Sequence, residues 1–74
     1  RNGYIRFDME TLDEIIHVLQ RQYNVSIQIE NPKYLEKKFY GSFKTNQSIH
    51  EVMDIICSGM NIQYSHTNNT YIIH

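Results

Sequence analysis

The chain lacks the features that mark several large classes of protein. It has one cysteine, Cys57, so no internal disulfide can form. Its seven Lys and Arg residues against eight Asp and Glu residues give a formal net charge of -1, which provides no electrostatic attraction to nucleic acid or anionic lipid. It has no signal-peptide pattern and no apolar run near the roughly 20 residues that span a bilayer. A disulfide scaffold, a nucleic-acid surface and a membrane helix are all disfavoured.

What is present fits one small folded domain. The 74 residues are 41% hydrophobic and include six tyrosines, which is the composition of an ordinary folded protein. A chain of this length buries only about 60% of the surface that it exposes when unfolded, so its stability margin is thin. Because the chain begins at Arg1 rather than at a methionine, we interpret it as a piece of a longer protein. We predict a single domain over residues 1–74.

The first part of the chain predicts a strand, a helix and a second strand. Apolar and polar residues alternate over residues 4–8, as in a half-buried strand. Thr11 and Glu14 form a capping box for a helix that runs to about Tyr23. Alternation resumes over residues 25–30, which predicts the second strand.

A connection and a third strand come next. Residues 31–38 contain the only proline and several charges, so we predict a surface linker there. Phe39, Gly41 and Phe43 then alternate with polar residues, which predicts a strand with these three on its inner face.

The last part predicts a second helix and a hairpin. Ser48 and Glu51 repeat the capping box. The predicted helix runs from Ile49 to about Cys57 or Ser58 and is ended by Gly59 or Asn61. Asn68 and Asn69 mark the turn of a hairpin between two final strands.

The two helix-strand units match each other in register. A shift of 37 positions without a gap aligns both capping acids, both asparagine stops and the apolar positions of both helices: Leu12 with Ile49, Glu14 with Glu51, Ile15 with Val52, Ile16 with Met53, Leu19 with Ile56, Asn24 with Asn61, Val25 with Ile62. Units of this kind look alike in general, but a match that includes cap and stop favours a true repeat. We predict one repeat over about residues 4–30 and another over about 39–74.

The helices also suggest how the layers are arranged. Val18 and Ile55 lie off the main apolar stripe of their helices and widen each apolar arc to roughly 160°, which is more than a helix on one sheet needs. Each helix is therefore expected to touch two neighbours, either its sister helix and a sheet or a sheet on both sides. The predicted class is α+β in the order βαβ-βαββ.

No residue set in the chain predicts catalysis or cofactor binding. His17, His50, His66 and His74 lack metal-ligand spacing and are interpreted as surface histidines. We interpret Cys57 as a small, partly buried thiol. The acids Glu14 and Glu51 already cap helices, and the three glycines form no phosphate loop. We predict no catalytic residue, metal or cofactor, and no enzyme.

The outward side chains of two strands are the remaining candidates for function. Together with unpaired strand edges they could bind another protein by strand addition. Taken singly, each is equally well explained as an ordinary solvated position. The predicted partner-binding set is Ser26, Gln28, Glu30, Tyr40, Ser42 and Lys44.

Four short segments in a fixed order resemble a known family. They are "YNV" at the end of the first helix, the "F-x-G-x-F" strand at Phe39, "SIHEVM" at the start of the second helix, and "YIIH" after the hairpin. This ordered set resembles the C-terminal domain of FecR-type anti-sigma regulators, particularly those of Bacteroidetes. That domain is similar to the short N-terminal domain of secretins and TonB-dependent transducers, in which two helices lie between two small sheets.

The resemblance implies a periplasmic signalling domain that works by protein–protein contact. The parent would be an inner-membrane regulator with a single membrane span, and its N-terminal region would hold an extracytoplasmic-function sigma factor. The signal would come from the N-terminal signalling domain of a TonB-dependent outer-membrane receptor. The family's recognisable positions are core and turn positions, so the resemblance transfers no partner-binding residue.

Two other hypotheses stay open from the sequence. The chain could be the short signalling domain of a transducer or secretin itself, which the parent sequence would distinguish by the presence or absence of an upstream membrane helix. It could instead be a small enzyme or nucleic-acid binder, against which the near-neutral charge argues.

Overall fold

The computed structural model describes residues 3–74, so Arg1 and Asn2 of the predicted domain lie outside the described residues. Residues 3–74 form two α-helices, five strands and one 3-10 helix. In order these are β1 (Tyr4–Thr11), α1 (Leu12–Tyr23), β2 (Ser26–Ile29), the 3-10 helix (Pro32–Glu36), β3 (Lys38–Lys44), α2 (Ile49–Met60), β4 (Tyr64–Thr67) and β5 (Thr70–Ile73). The predicted α+β class and element order are confirmed, and part of the predicted linker is helical.

The strands form two separate sheets, and each sheet combines both repeats. β1 pairs with β3 in an antiparallel two-stranded sheet. β2 pairs in parallel with β5, which also pairs with β4 through the hairpin, so the order is β2-β5-β4. β1 and β2, the two strands of the first repeat, do not pair with each other. Each finds its partner in the second repeat, so the two units depend on each other for their backbone hydrogen bonds.

Both helices begin and end as the sequence predicts, with one correction. The capping boxes of Thr11 and Ser48 are formed, and each helix ends at an asparagine in the left-handed region, with φ 56° at Asn24 and φ 58° at Asn61. α2 continues to Met60, two residues beyond the predicted Ser58, and of the two predicted stops Asn61 is confirmed and Gly59 is wrong. The reason is that Gly59 is tolerated within the last helical turn, while Asn61 adopts the positive φ that stops the helix.

One hydrophobic core joins the two repeats. Its fully buried side chains come from the main apolar stripes of both helices and from β5: Leu12, Ile15, Leu19, Val52, Met53, Ile56 and Ile73. α1 contacts β1 and β2, which belong to different sheets. α2 contacts β3 of one sheet and, through His50 and Tyr64, β4 of the other. The expectation that each helix touches two neighbours is therefore correct.

The two residues that lie off the apolar stripes differ in their environment. Val18 is partly buried against the core, as the wide apolar arc predicts. Ile55 is 45% exposed, so the prediction that Ile55 belongs to a wide buried arc of α2 is wrong. The same offset therefore has different outcomes in the two helices, because only the first repeat covers that side of its helix.

β1 is longer than predicted because it contains a bulge. Met9 has φ 61° and no partner on β3, so Asp8 lies opposite Tyr40 while Glu10 lies opposite Phe39. The extra residue shifts the inward and outward positions along β1, which is why the alternation in the sequence ends at Asp8.

The inner face of β3 explains the "F-x-G-x-F" pattern. The ring of Phe39 stacks on that of Phe43, with centroids 5.8 Å apart, and Phe7 meets Phe43 edge to face. The Phe39 ring lies over Gly41, where an added Cβ would stand 2.8 Å from Phe39 Cε2. Gly41 is required by this ring rather than by a backbone angle.

Ile15→Asp and Ile56→Asp are each expected to abolish cooperative unfolding. Both side chains are essentially inaccessible to solvent, and burying an unpaired carboxylate costs several kcal/mol, which is about the whole stability of a small domain. Ile55→Asp is the matched control, because the adjacent exposed residue should leave the melting transition in place. Thermal unfolding followed by circular dichroism tests all three, and a retained transition in Ile56→Asp would show that α2 is wrongly oriented.

Gly41→Ala is expected to lower the free energy of unfolding by about 1–3 kcal/mol, because the new methyl group must displace the Phe39 ring. Phe39→Leu in the same chain should recover part of this loss, since it removes the ring that the methyl group meets. Urea denaturation of the single and double variants measures the coupling. Strictly additive losses would contradict the ring-over-glycine contact.

Candidate functional site

Two of the four histidines lie next to each other, but they form no metal centre. The rings of His50 and His66 have centroids 5.9 Å apart, and His66 stacks on Tyr71. His50 instead contacts Tyr64 and Asp54. Within residues 3–74 no group of three or more His, Cys, Asp or Glu side chains could hold a metal ion. Both histidines are nevertheless exposed, at the margin between α2 and the three-stranded sheet, so the prediction of surface histidines is correct for them.

The Tyr64 hydroxyl attaches β4 to α2. It donates a hydrogen bond of 2.5 Å to Asp54 Oδ1, and its ring lies edge to face with His50. Burial, followed by the hydrogen bond to Asp54, raises the pKa of Tyr64 above its usual range. The hydroxyl therefore stays protonated at physiological pH and acts as a structural donor.

Ser65, His74 and Glu30 form a linear hydrogen-bonded chain. Ser65 Oγ lies 2.8 Å from His74 Nε2, and His74 Nδ1 lies 2.9 Å from Glu30 Oε1. The order of groups is that of a serine hydrolase triad, which also requires an oxyanion hole and a substrate pocket. The His74 and Glu30 side chains are 44% and 62% exposed, so they lie at the surface rather than in an enclosed site. We interpret these two hydrogen bonds as a structural link that joins β4, β5 and β2 near their ends, and we call the three residues the Ser65–His74–Glu30 clamp.

Cys57 is more deeply buried than the sequence predicts. Only 2% of the residue is exposed, so the prediction of partial burial is wrong. Burial, and to a lesser extent the charge of Asp54, raises the pKa of the Cys57 thiol to about 11. A reactive thiol needs a lowered pKa and access to solvent. Cys57 has neither and belongs to the core.

The structure separates the six predicted partner-binding residues into two groups. All six side chains are exposed. Ser26 and Gln28 lie on β2, with Glu30 directly after it, beside the three-stranded sheet, whereas Tyr40, Ser42 and Lys44 lie on β3 in the two-stranded sheet. Because the two groups belong to different sheets, the edge of each strand is considered by itself.

The free edge of β2 is blocked. The N–H groups of Ser26 and Glu30 donate to β5 and its preceding turn, at 2.8 Å to Asn69 O and 2.9 Å to Ile73 O. Alternate residues of a strand direct their backbone groups to the same side, so those of Ile27 and Ile29 point to the free edge. There the Ile27 N–H donates to Gln20 Oε1 of α1, at 2.8 Å. The side chain of Gln20 therefore occupies the place that an incoming strand would take.

The free edge of β3 is open from Lys38 to Ser42, and only its Lys44 end is capped by a side chain. Thr45 N donates to Gly3 O, and Leu12 N donates to Lys37 O, both at 2.7 Å. These two bonds fix the alternation of the ladder, and they direct the backbone N–H and C=O groups of Lys38, Tyr40, Ser42 and Lys44 away from β1. Of their four N–H groups, only that of Lys44 has a partner, Gln47 Oε1 at 2.9 Å. We call these four residues the β3 edge.

Two cavities adjoin the two-stranded sheet. One, of about 90 Å³, is lined by Arg6, Phe7, Tyr40, Gly41 and Ser42. The other, of about 280 Å³, lies at the end of the sheet and includes Lys44. The three predicted residues of β3 therefore line concave surface as well as an open edge.

Two residues of this surface were missed by the sequence interpretation. Lys38 has the same outward orientation as Tyr40 and Ser42, and alternation would have found it if the strand had been started one residue earlier. Arg6 lies opposite Ser42 on β1, a pairing that only the register reveals. Within residues 3–74, neither Arg6 nor Lys38 nor Lys44 has a carboxylate within salt-bridge distance.

The fold and this surface define a class, a small α+β domain with an exposed strand edge. The chain belongs to the FecR C-terminal family, whose pattern matches residues 4–73. This confirms the resemblance found in the sequence. The family is a regulatory one of anti-sigma factors rather than a known class of enzyme. No functionally curated protein matches the chain.

The fold is also similar to solved structures. Two crystal structures of a candidate anti-sigma factor from Parabacteroides distasonis superimpose with TM-scores of 0.86 and 0.85, each at 23% sequence identity. Each match covers 99% of this chain and 34% of the other, so the chain spans about a third of the length of that protein. Within residues 3–74 no helix is both long and apolar enough to cross a membrane.

Cys57 is expected to resist alkylation by iodoacetamide in the folded protein. A rise in pKa from 9.0 to about 11 lowers the thiolate fraction at pH 8 about a hundredfold, and burial slows the reaction further. The rate should rise with pH, because more thiolate forms as the pH approaches the raised pKa. Mass spectrometry of native and guanidinium-unfolded samples gives the ratio of rates. Equal rates in the two samples would contradict the buried position.

Proposed function

We propose that this domain receives a signal by binding another protein through the β3 edge. The partner proposed is the N-terminal signalling domain of a TonB-dependent outer-membrane receptor, met in the periplasm. Binding changes the state of an inner-membrane regulator, whose N-terminal region controls an extracytoplasmic-function sigma factor. The domain itself serves as a recognition module and carries out no chemistry.

The open β3 edge, in a member of the FecR C-terminal family, is the observation that supports this proposal. Unpaired backbone groups on an exposed strand bind readily to a strand of another protein. Tyr40 is 71% exposed on the same strand, and tyrosine is enriched at the centres of protein interfaces. Such an exposed aromatic beside an open edge is costly to keep in contact with water unless a partner covers it.

The family match also bears on the rival hypotheses. It favours the regulator over the short domain of a transducer or secretin, because residues 4–73 match the FecR C-terminal family. For a nucleic-acid binder, the net charge of -1 remains unfavourable. For an enzyme, the hydrogen bonds that join Ser65, His74 and Glu30 are the suggestive geometry among the described residues, and the His74 and Glu30 side chains are exposed to solvent.

Binding to a receptor signalling domain is expected to depend on Tyr40 and not on Gln28. Titration calorimetry against the signalling domains of the receptors from the same genome should identify one that binds. Tyr40→Ala should then weaken the affinity about tenfold, as a central interface tyrosine does, while Gln28→Ala should change it less than about twofold. The two variants remove exposed side chains from different sheets, so each serves as a check on the other.

The result against the proposal is equally definite. Failure of every receptor signalling domain to bind the folded wild-type chain would remove the proposed partner. A larger loss in Gln28→Ala than in Tyr40→Ala would move the interface to the three-stranded sheet. In cells, loss of the domain should uncouple sigma-dependent transcription from the inducing signal.

A further inference from the structure

We infer that the strand that pairs with the β3 edge is an extended, acidic segment of the partner protein, with carboxylates placed opposite Lys38 and Lys44. This inference rests on the proposed function, because it specifies the chemistry of the partner at the same surface. It follows from the backbone groups that remain free, from the charges beside them, and from what a second copy of the chain would meet there.

Among the four strand edges of the described residues, β3 offers the longest open one. On β2, Gln20 occupies the N–H of Ile27. On β1, the bulge at Met9 interrupts the ladder, and Glu10 accepts the hydrogen bond of the outward Asp8 N–H. β4 is four residues long, so it presents only two outward residues. β3 has seven residues and presents four of them outward.

The charge along this edge has one sign. Lys38 and Lys44 stand at its two ends, and Arg6 lies beside Ser42 on the same outer face. Tyr40 and Ser42, which separate the lysines, are uncharged at neutral pH. On the neighbouring strand, Asp8 is the acid on this face, opposite Tyr40. A net positive edge selects a negative strand, because opposite charges directly across a ladder are favourable and like charges are unfavourable.

The spacing of the lysines specifies the incoming sequence further. Residues directly opposite each other in a ladder have their side chains on the same face, and alternate residues share that face. Lys38 and Lys44 are six positions apart, so the two carboxylates of the partner are also six positions apart. The partner residues between them would contact Tyr40 and Ser42, whose side chains also line the cavity of about 90 Å³ on the side towards β1.

A second copy of the chain is a poor occupant of the same edge. If two β3 edges met in an antiparallel arrangement with full overlap, Tyr40 would face Ser42 and Lys38 would face Lys44, twice over by symmetry. Exposed lysines on edge strands commonly serve to prevent such self-pairing. The same two lysines that attract an acidic strand therefore keep this surface available in the monomer.

The test uses two synthetic extended peptides and the full 74-residue chain. One peptide carries two glutamates six positions apart, separated by threonine and valine, and the other carries lysines at those two positions. Fluorescence anisotropy at low ionic strength should show the glutamate peptide binding at least about tenfold more tightly, with the difference shrinking as salt is added. Amide chemical shifts should change at Tyr40 and Ser42.

Two variants separate the backbone from the charge. Ser42→Pro removes an outward N–H that has no partner in the structure, and proline is tolerated on an edge strand, so binding should be lost while the melting transition persists. Lys38→Glu with Lys44→Glu should reverse the preference between the peptides. Arg21→Glu with Lys33→Glu is the control with the same change in net charge away from the edge, and it should keep the original preference.

Several outcomes would overturn the inference. Unchanged binding in Ser42→Pro, or an unchanged preference in the double lysine variant, would place the acidic strand elsewhere. Equal binding of inorganic tripolyphosphate would identify a general anion patch. A dimer in sedimentation equilibrium that Ser42→Pro disrupts would assign the edge to a second copy. If the receptor domain still binds the double lysine variant with full affinity, the proposed function stands and the acidic strand fails. If the peptides behave as expected but no receptor domain binds, the preference for an acidic strand stands and the proposed receptor partner fails.

Discussion

The pairing of strands between the two repeats is the constraint on which the rest of the structure depends. β1 finds its hydrogen-bond partner in β3 and β2 finds its partner in β5, so each unit completes a sheet that the other begins. A helix that lies between two such sheets can bury its apolar stripe on both, which is how a chain of 74 residues assembles a core with seven fully buried side chains. The two similar units are therefore not two independently folded copies, because each supplies strands that the sheets of the other require.

The two sheets differ in how they treat their exposed edges. In the three-stranded sheet, the Gln20 side chain accepts a hydrogen bond from the exposed edge of β2. Ser65, His74 and Glu30 hydrogen-bond to one another near the strand ends. In the two-stranded sheet, side chains restrict β1 and the end of β3, but the middle of β3 stays uncovered. Side chains therefore close part of the other described strand edges, and the middle of β3 is the longest stretch of strand backbone that stays accessible.

Local signals made much of this fold predictable. The capping boxes and the asparagine stops depend on neighbouring residues, so their consequences could be read directly, and the inward residues of β3 followed from alternation. Three features depend on distant contacts and escaped prediction: the exposure of Ile55, the bulge at Met9 and the closure of β2 by Gln20. For the candidate site, the outward residues of β3 could be predicted, but the open edge could not, because it depends on distant contacts. Outward side chains follow from periodicity, whereas an open edge is defined by what the rest of the chain fails to cover.

The position of β5 in the three-stranded sheet bears on how the domain is made. β5 is the middle strand of that sheet, yet it comes after all other strands in sequence. During synthesis, β1 and β3 can pair around α1 while β2 still has no neighbour, because its partner spans Thr70–Ile73. Contacts between such distant segments form slowly, since a long loop must close first. The two-stranded sheet can therefore form before the three-stranded sheet, which is complete only when β5 has joined β2 to β4.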